Sequence, residues 1–337
     1  MKKFIIPNIS NLMNNDLSLI IPIKDRNEFT FRILCYLDQI KFPYKIFISD
    51  GSLEKKESKK IIDLFKFNLK IKYLNFTYDK DFKSFLIKMY ETLKIVRSKH
   101  VVLLPNDDFI NLEFLKKISK ENKDNTISGL NLDFKINNFF KYINDFGRVK
   151  FLKLINKEYE KNLSHSNNLK RIEYISNFHP FESVHLKENL LKVFQMSLEF
   201  GANNHKELMW FLRLVPLYYN NVIFLKKPLI ARQTNTYTSE GFNLHLKSHY
   251  SSNEKLEEFK RFITKKFGDK KILKHINIKN FPISPNISSS RKIIIYLVCI
   301  KKFLSKYLLN IFDNSKYNAQ NYLKLYNLVN KKFKLND

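Results

Sequence analysis

The fold is decided by the stretch HVVLLPNDD at residues 100–108. Its first five residues form a short aliphatic run, which is typical of a buried strand. Pro105 has no N–H to donate to a central ladder, so the predicted strand ends there. Asn106, Asp107 and Asp108 then lie in the loop at the carboxyl end of that strand. In open α/β sheets, ligands bind at this edge.

The two adjacent carboxylates, Asp107 and Asp108, have two interpretations. Neighbouring carboxylates repel each other unless a cation or water lies between them. Hard divalent ions such as Mg²⁺ and Mn²⁺ take oxygen ligands and often bridge a carboxylate to a phosphate. Asp is also a good N-cap, and taken by themselves these residues favour a cap for a helix that begins near Ile110.

Strands and helices alternate along the first third of the chain. The predicted strands cover residues 17–23, 45–48, 69–74 and 100–104, and the predicted helices cover residues 31–37, 54–67 and 82–96. This alternation predicts an α/β fold with a mostly parallel, Rossmann-like sheet flanked by helices and joined by right-handed crossovers. Polar clusters at Asp25, Asp50 and Asp107 each follow a predicted strand. We therefore expect them to converge on one edge of the sheet.

Periodicity is weaker beyond residue 127. We predict one strand at 127–134, an inserted and mostly helical segment at about 135–175, and an extended segment at 178–185. Helices at 188–196 and 203–214, short strands at 221–225 and 228–232, and two basic amphipathic helices within 288–334 complete the prediction. The expected division is a main α/β domain at residues 1–240 and a basic helical C-terminal extension at residues 241–337.

The composition indicates a folded and strongly basic protein. Of 337 residues, 44% are hydrophobic and 15% aromatic, which supports a sizeable core and argues against wholesale disorder. The net charge of +28 would attract polyanions, either nucleic acid or an anionic membrane surface. Biased coding sequence explains the many lysines equally well.

Cysteine usage and hydropathy predict a cytoplasmic location, with binding to the inner face of the cytoplasmic membrane as an option. The only cysteines are Cys35 and Cys299, both in apolar surroundings, so we expect buried thiols in a reducing compartment. Neither a signal-peptide core nor a stretch of membrane-spanning length is evident.

Several enzyme and binding classes lack their motifs. No glycine-rich dinucleotide fingerprint follows the first strand, and no P-loop occurs. Zinc-finger, RNP and helix-turn-helix patterns are missing too, so we expect no specific nucleic-acid partner.

Four motifs, taken in order, resemble those of inverting, family-two-like glycosyltransferases of the bacterial surface-glycan type, which have the GT-A fold. They are IIPIKDR at 20–26, SDGS at 49–52, NDD at 106–108, and KEL at 206–208 with LRL at 212–214. The match is good over the first third of the chain and looser up to about Arg232. Ser49, Asn106 and Lys206 each stand where the family has an acid. The Gln-x-x-Arg-Trp motif of processive synthases is missing, which favours transfer of a single sugar.

The resemblance implies an enzyme that moves one sugar from a nucleotide-sugar donor to a hydroxyl of a glycan or lipid-linked acceptor in polysaccharide biosynthesis. It implies a divalent cation, Mn²⁺ or Mg²⁺, on Asp108, and inversion at the sugar carbon. Asp50 would contact the nucleobase, and Asn106 or Asp107 the ribose. The residues expected to bind the donor are Pro22, Lys24, Asp25, Arg26, Asp50, Gly51, Ser52, Asn106 and Asp107.

Glu207 is the candidate general base for the acceptor hydroxyl. It is equally well explained as an ordinary first-turn glutamate that is stabilised by the helix dipole. Arg232 has two interpretations as well, a contact to the diphosphate or a surface residue. Five histidines are candidates for a further metal ligand or an acceptor contact, although a structural or surface role is preferred for each: His179, His185, His205, His245 and His249.

Two other functions compete with glycosyl transfer. A nucleotidyltransferase with a GT-A-like sheet would share the acidic site, although its usual glycine-rich first loop is missing here. A basic nucleic-acid-binding protein would explain the charge. The predicted helix from about residue 291 to 311 has one apolar face with lysines largely off it. This helix either lies on an anionic membrane or packs against the catalytic domain or a second subunit.

Overall fold

The computed structural model describes residues 16–121, 124–136, 149–153, 183–220, 222–233, 253–268 and 320–335. The strands in this part of the chain are β1 Leu17–Ile23, β2 Lys45–Asp50, β3 Ile71–Asn75, β4 His100–Leu103, β5 Phe109–Ile110, β6 Thr126–Ile136, β7 Val149–Lys153, β8 Ser183–Leu186 and β9 Val222–Gln233. The helices are α1 Asn27–Gln39, α2 Lys55–Asp63, α3 Phe82–Ile95, α4 Leu112–Glu121, α5 Lys187–Phe200, α6 His205–Tyr219, α7 Asn253–Phe267 and α8 Gln320–Leu335.

The first four strands form the predicted parallel unit. β1 pairs in parallel with β2 and β4, and β3 lies beyond β2. Each crossover contains a helix, as the alternation of strand and helix predicted. The main difference is in α2, which ends at Asp63, because turns rather than helix follow it as far as residue 68.

The second half of the sheet is mixed. β8 lies antiparallel between β4 and β6, β9 runs parallel to β6, and β5 and β7 pair antiparallel with β9 and β6. The α/β class and the helix-flanked sheet of the predicted GT-A fold are confirmed. The expected mostly parallel sheet is confirmed as well, because β1, β2, β3, β4, β6 and β9 run in one direction and only β5, β7 and β8 of the described strands run in the other.

Strand β9 is continuous where two short strands were predicted. It pairs with β6 through a register irregularity around Gly129. A Cβ at Gly129 would lie 2.8 Å from the carbonyl oxygen of Lys227, so only glycine fits this close backbone approach. Pro228 interrupts the hydrophobic pattern at this bulge, which explains why the sequence resembled two strands.

The predicted insertion at 135–175 contains at least one strand, β7, which pairs with β6. The helical interpretation is therefore wrong for residues 149–153. The rest of the insertion, the predicted membrane-facing helix at 291–311, Cys299, and three of the histidines (His179, His245 and His249) lie outside the described residues.

Apolar side chains form a core on each face of the sheet. Along β1, Leu19 and Ile21 face one core and Ile20 faces the other, as the period of two requires. Helices α1, α2, α4 and α8 cover the first face, and α3, α5, α6 and α7 cover the second. Cys35 is buried in the first core, and burial raises the pKa of its thiol to about 12.

Both described helices of the C-terminal extension take part in these cores. Phe259 of α7 packs on Phe200 and Trp210, and Tyr326 of α8 packs on Tyr36 and Phe109. The domain boundary at residue 240 remains a prediction. Among the described helices, none is long and apolar enough to cross a membrane.

Candidate nucleotide-sugar site

The carboxyl ends of the parallel strands carry most of the predicted site. We call this place the carboxyl edge and define it by residues 24–26 after β1, 51–53 after β2, 105–108 after β4, and Gln233 at the end of β9. The register of β1 with β2 and β4 brings the first three loops side by side. Gln233 joins them because its backbone N–H donates to Asp108 Oδ1 at 2.9 Å.

The loops after β1 and β2 are tied together by Asp25. Its backbone N–H donates to Ser52 Oγ at 2.9 Å, and its Oδ1 accepts the N–H of Leu53 at 2.7 Å. Asp25 has a φ of 48°, a left-handed conformation that Asp tolerates better than most residues. The predicted donor residues Asp25 and Ser52 therefore contact each other directly.

Asp50 is completely buried at the end of β2. Its Oδ1 accepts the N–H of Ser52 at 2.8 Å, and its Oδ2 accepts the hydroxyl of Tyr73 at 2.7 Å. Burial, the hydrogen bond and the charge of Asp50 all raise the pKa of Tyr73. In this structure Asp50 thus stabilises the turn after β2 through both of its carboxylate oxygens.

Two further residues predicted to bind the donor are Pro22 and Lys24. Pro22 pairs with Ser49 in the sheet, and the Lys24 ammonium lies 5.2 Å from the ring centre of Tyr78.

Gly51 packs directly against a buried ion pair. A Cβ at Gly51 would lie 2.3 Å from the carboxylate of Asp79, and Asp79 pairs with Lys88. The Lys88 ammonium also donates to the carbonyl oxygen of Ile23 at 3.2 Å. Burial raises the pKa of Asp79 and lowers that of Lys88, and the opposite charge of each partner counteracts that shift. The ion pair therefore contacts both loops, the one after β1 through the carbonyl oxygen of Ile23 and the one after β2 through Gly51.

Asn106 and Asp107 attach the β4 loop to the start of α1. The Asn106 amide donates to the carbonyl oxygen of Arg26 at 3.2 Å and to Thr30 Oγ1 at 3.1 Å. The Asp107 carboxylate pairs with the Arg26 guanidinium at 2.9 Å, and both side chains are largely buried. Arg26, Asn106 and Asp107 were all predicted as donor-binding residues, and the fold brings them together.

A second arginine, Arg32 of α1, lies beneath the same loop. Its Nη2 donates to the carbonyl oxygen of Asp107 at 2.7 Å, and its Nη1 donates to Gln233 Oε1 at 2.9 Å. The side chain is buried, so desolvation lowers the pKa of the guanidinium, and Asp107 opposes that shift. Since Gln233 also holds Asp108, these four residues form a closed set of contacts.

The interpretation of Asp107 and Asp108 as helix caps is wrong. Helix α4 begins at Leu112, and its cap is Asn111, whose Oδ1 accepts the N–H groups of Glu113 and Phe114. Short strand β5 separates the two aspartates from the helix. Their carboxylates are instead held within the carboxyl edge.

The donor set of this turn is compatible with a divalent cation. Within the described ranges, no group of three His, Cys, Asp or Glu side chains is close enough to hold a metal. Mg²⁺ commonly takes only one or two carboxylates and completes its coordination with substrate phosphates and water. Asp107 and Asp108 supply the hard oxygen ligands that such an ion prefers.

Glu207 lies in the first turn of α6, which belongs to the second core together with α5. Helix α5 starts at the end of the sheet opposite the carboxyl edge, where the N–H of Lys187 donates to the carbonyl oxygen of Lys99, just before β4. Helix α6 ends there too, because the Asn220 amide donates to the carbonyl oxygen of Asp124, just before β6. A 15-residue helix is about 22 Å long, so the start of α6 lies about that far from the end of the sheet opposite the carboxyl edge.

At that helix start, Glu207 is buried and bound locally. Its Oε2 accepts the N–H of Asn203 at 2.9 Å, and its Oε1 accepts the side-chain amide of Asn204 at 2.9 Å. Asn204 in turn caps α6 by accepting the N–H of Glu207 at 3.0 Å. The arrangement resembles a capping box. The neighbouring Lys206 is partly buried, which lowers its pKa.

The remaining described candidates are Arg232, His185 and His205. Arg232 forms a two-point ion pair with Asp133 at 3.0 and 2.9 Å. His185 is buried in β8, and His205 is the first residue of α6. Sequence reasoning overlooked Asp133, Tyr73, Asp79, Lys88, Arg32 and Gln233. Arg32 had a detectable signal, because it is a charge inside an otherwise apolar run of α1.

No protein-family model matches the sequence, and no curated protein matches it significantly. Solved structures match at low identity. S. aureus TarS 1-349 in complex with UDP-GlcNAc is 15% identical, with 83% of this chain and 70% of that chain covered and a TM-score of 0.49. The mannosyltransferase PcManGT from Pyrobaculum calidifontis in complex with GDP-Man and Mn²⁺ is 8% identical, with 95% and 87% covered and a TM-score of 0.44. The 4-diphosphocytidyl-2C-methyl-D-erythritol synthase from Anaerococcus prevotii is 16% identical, with 64% and 89% covered and a TM-score of 0.36. At this level of likeness, function has to be argued from the residues of the chain itself.

Proposed function

We propose that this protein is a metal-assisted, inverting glycosyltransferase that moves one sugar from a nucleotide sugar to a hydroxyl of a glycan or lipid-linked acceptor. The observation that supports the proposal is the meeting of four segments at the carboxyl edge. The loops after β1, β2 and β4 contact one another or a shared support, and Gln233 at the end of β9 binds Asp108. Ligand sites of open α/β sheets lie at this edge.

The nucleotide is proposed to bind over the loops after β1 and β2. Backbone and side chain of Asp25 fix the position of Ser52 and Leu53, so the floor of this region is rigid before any ligand arrives. Lys24 brings positive charge to this region, where an anionic diphosphate would be attracted, and Arg26 offsets the charge of Asp107 beside it. Rigidity lowers the entropic penalty of binding.

The diphosphate is proposed to lie against the Asp107–Asp108 turn. A divalent cation bound by Asp108 would neutralise the charge that develops on the leaving diphosphate. Arg26 offsets the charge of Asp107, which lowers the repulsion between the two aspartates. The N–H of Gln233 orients the Asp108 carboxylate through Oδ1.

Glu207 is proposed as the general base. The acceptor oxygen attacks the anomeric carbon, the bond from that carbon to the diphosphate oxygen breaks, the hydroxyl proton passes to Glu207, and nucleoside diphosphate leaves. Attack from the side opposite the leaving group inverts the sugar carbon. Glu207 already accepts two hydrogen bonds, but a carboxylate offers about four acceptor positions, so its capping contacts and a base role are compatible.

The test is to identify the phosphate product and the anomer. Purified protein is incubated with Mn²⁺, UDP- or GDP-linked sugars and a glycan acceptor mixture, and released nucleoside diphosphate is quantified. Proton NMR of the product then gives the anomeric configuration, which we expect to be opposite to that of the donor. Release of pyrophosphate from a nucleoside triphosphate and a sugar phosphate would instead show nucleotidyl transfer and overturn the proposal.

A further inference from the structure

The C-terminal helix α8 is connected to the carboxyl edge by hydrogen bonds through the first core. The Tyr326 hydroxyl of α8 donates to the carbonyl oxygen of Arg32 at 2.7 Å, and both groups are buried. A neighbouring contact joins the Tyr36 hydroxyl to Asn330 Oδ1 at 3.1 Å and to the carbonyl oxygen of Ile110 at 2.8 Å. Both links are made by residues 294 positions apart in the sequence.

The guanidinium of Arg32 closes a set of contacts that we call the arginine ring: Arg32, Asp107, Asp108 and Gln233. Arg32 binds the main chain of Asp107 and the side chain of Gln233, and the N–H of Gln233 binds the carboxylate of Asp108. The guanidinium carbon also lies 5.0 Å from the ring centre of Phe109 and 4.8 Å from that of Phe29. The hydrogen bonds of the arginine ring thus hold the loop after β4 and the end of β9 in a fixed relative position.

Burying a charged side chain such as Arg32 costs free energy unless hydrogen bonds and an opposite charge compensate it. Burial opposes ionisation of Arg32, and only a planar fork with several N–H groups can bind two acceptors in fixed directions at once. The Arg32 side chain is only 1% exposed, and its Nη2 binds the main chain of Asp107. We therefore expect its effect on a ligand to pass through Asp107 and Asp108.

We propose that Arg32 is a positioning residue that holds the Asp107–Asp108 turn in its ligand-binding geometry, and that α8 keeps Arg32 in place through Tyr326. The part of the proposal that concerns nucleotide and metal binding rests on the proposed function. The part that concerns the order of the turn stands independently, since it follows from the contacts alone. The C-terminal helix then belongs to the site although it contributes no ligand contact.

The experiment compares three variants of the full-length protein. Tyr326→Phe removes the hydroxyl only. Arg32→Lys keeps the charge but loses the fork. Val329→Ala is the control, because Val329 is buried on α8 in the same core and contributes packing alone. The two measurements are hydrogen–deuterium exchange of peptides covering residues 105–111 and 229–233, and the dissociation constant of UDP with Mn²⁺.

We expect Arg32→Lys to weaken Mn²⁺–UDP binding about tenfold or more and Tyr326→Phe about threefold, as is usual for buried hydrogen bonds. Exchange in the two peptides should become faster in both variants. Val329→Ala should lower the melting temperature but leave both measurements near those of the wild type. Equal effects of Tyr326→Phe and Val329→Ala, or unchanged exchange in Arg32→Lys, would overturn the proposal. If the wild type binds neither UDP nor Mn²⁺, the proposed function fails, whereas the exchange data still decide the role of Arg32.

Discussion

The two acidic parts of the candidate site are stabilised in different ways. The Asp107–Asp108 turn is held by Arg26, Arg32 and Gln233, residues from distant parts of the sequence. Glu207 is held by Asn203 and Asn204, its immediate neighbours. The contacts of the turn thus join distant parts of the fold, whereas these capping contacts of Glu207 are local. Loss of a contact of the turn should spread to other residues, and loss of a capping contact at the helix start should remain local.

The largest effect at the turn is expected from Asp108→Ala. Loss of the carboxylate removes the proposed ligand for the cation and the acceptor for the Gln233 N–H. We expect transfer to be abolished and nucleotide binding to become independent of Mn²⁺, with the fold intact. Circular dichroism and isothermal titration with UDP measure these effects.

The control for that experiment is Asp124→Ala, a surface aspartate at the opposite end of the sheet that pairs with Lys99. This variant should retain wild-type activity. Full activity of Asp108→Ala in the presence of EDTA would show that Asp108 does not serve as the metal ligand.

Glu207→Gln is expected to have the next largest effect. Glutamine keeps the shape and one acceptor oxygen but cannot take the acceptor proton. Turnover should fall about a hundredfold, while donor affinity stays close to that of the wild type. Steady-state kinetics separate the two quantities.

Glu188→Gln is a matched control, because Glu188 is a first-turn glutamate of α5 at the other end of the sheet. Its turnover should not change. If Glu207→Gln also keeps its turnover, the base is another carboxylate, and Glu199 and Glu182 are the next candidates.

Gly51→Ala addresses the crowding beneath the turn after β2. The new Cβ would collide with the Asp79 carboxylate, which is fixed by its ion pair with Lys88. Overpacking of this kind costs about 1–3 kcal/mol of unfolding free energy. Urea unfolding measures the loss of unfolding free energy. Substitutions at exposed positions usually change this free energy by less than about 0.5 kcal/mol. A change that small for Gly51→Ala would mean that the ion pair moves easily to make room for the new Cβ.

The smallest expected effect concerns the two asparagine caps. Asn204→Ala loses a local cap and should cost about 1 kcal/mol. Asn111→Ala also loses the hydrogen bond from its amide to the carbonyl oxygen of Pro228, at 2.9 Å, and should cost more. Equal costs from urea unfolding of both variants would contradict the distinction between local and long-range anchoring.

The sequence was most informative where contacts are local. The strands before Asp25, Asp50 and Asp107 were predictable because apolar runs and turn residues are read within a few positions. The capping residue Asn204 and the first-turn position of Glu207 were predictable for the same reason. In each case the relevant partners lie close by in the sequence.

Contacts between residues far apart in the sequence could not be predicted from local patterns. The cap assigned to Asp107 and Asp108 belongs to Asn111, because the short strand β5 intervenes and pairs with β9, far along the chain. The link between Arg32 and Gln233 joins residues 201 positions apart, so no local pattern shows it. Such contacts depend on strand order, which periodicity does not encode.

The central claim is that a nucleotide diphosphate binds at the carboxyl edge together with a divalent cation. Thermal unfolding with UDP, GDP, CMP and their sugars, each with and without Mn²⁺, tests it most directly. At a hundredfold excess over the dissociation constant, a ligand stabilises the folded state by about 2.7 kcal/mol, which raises the melting temperature by several degrees. We predict such a rise for at least one UDP or GDP ligand, larger with Mn²⁺ and lost in Asp108→Ala. No rise with any nucleotide, or an equal rise in Asp108→Ala with Mn²⁺, would contradict the claim.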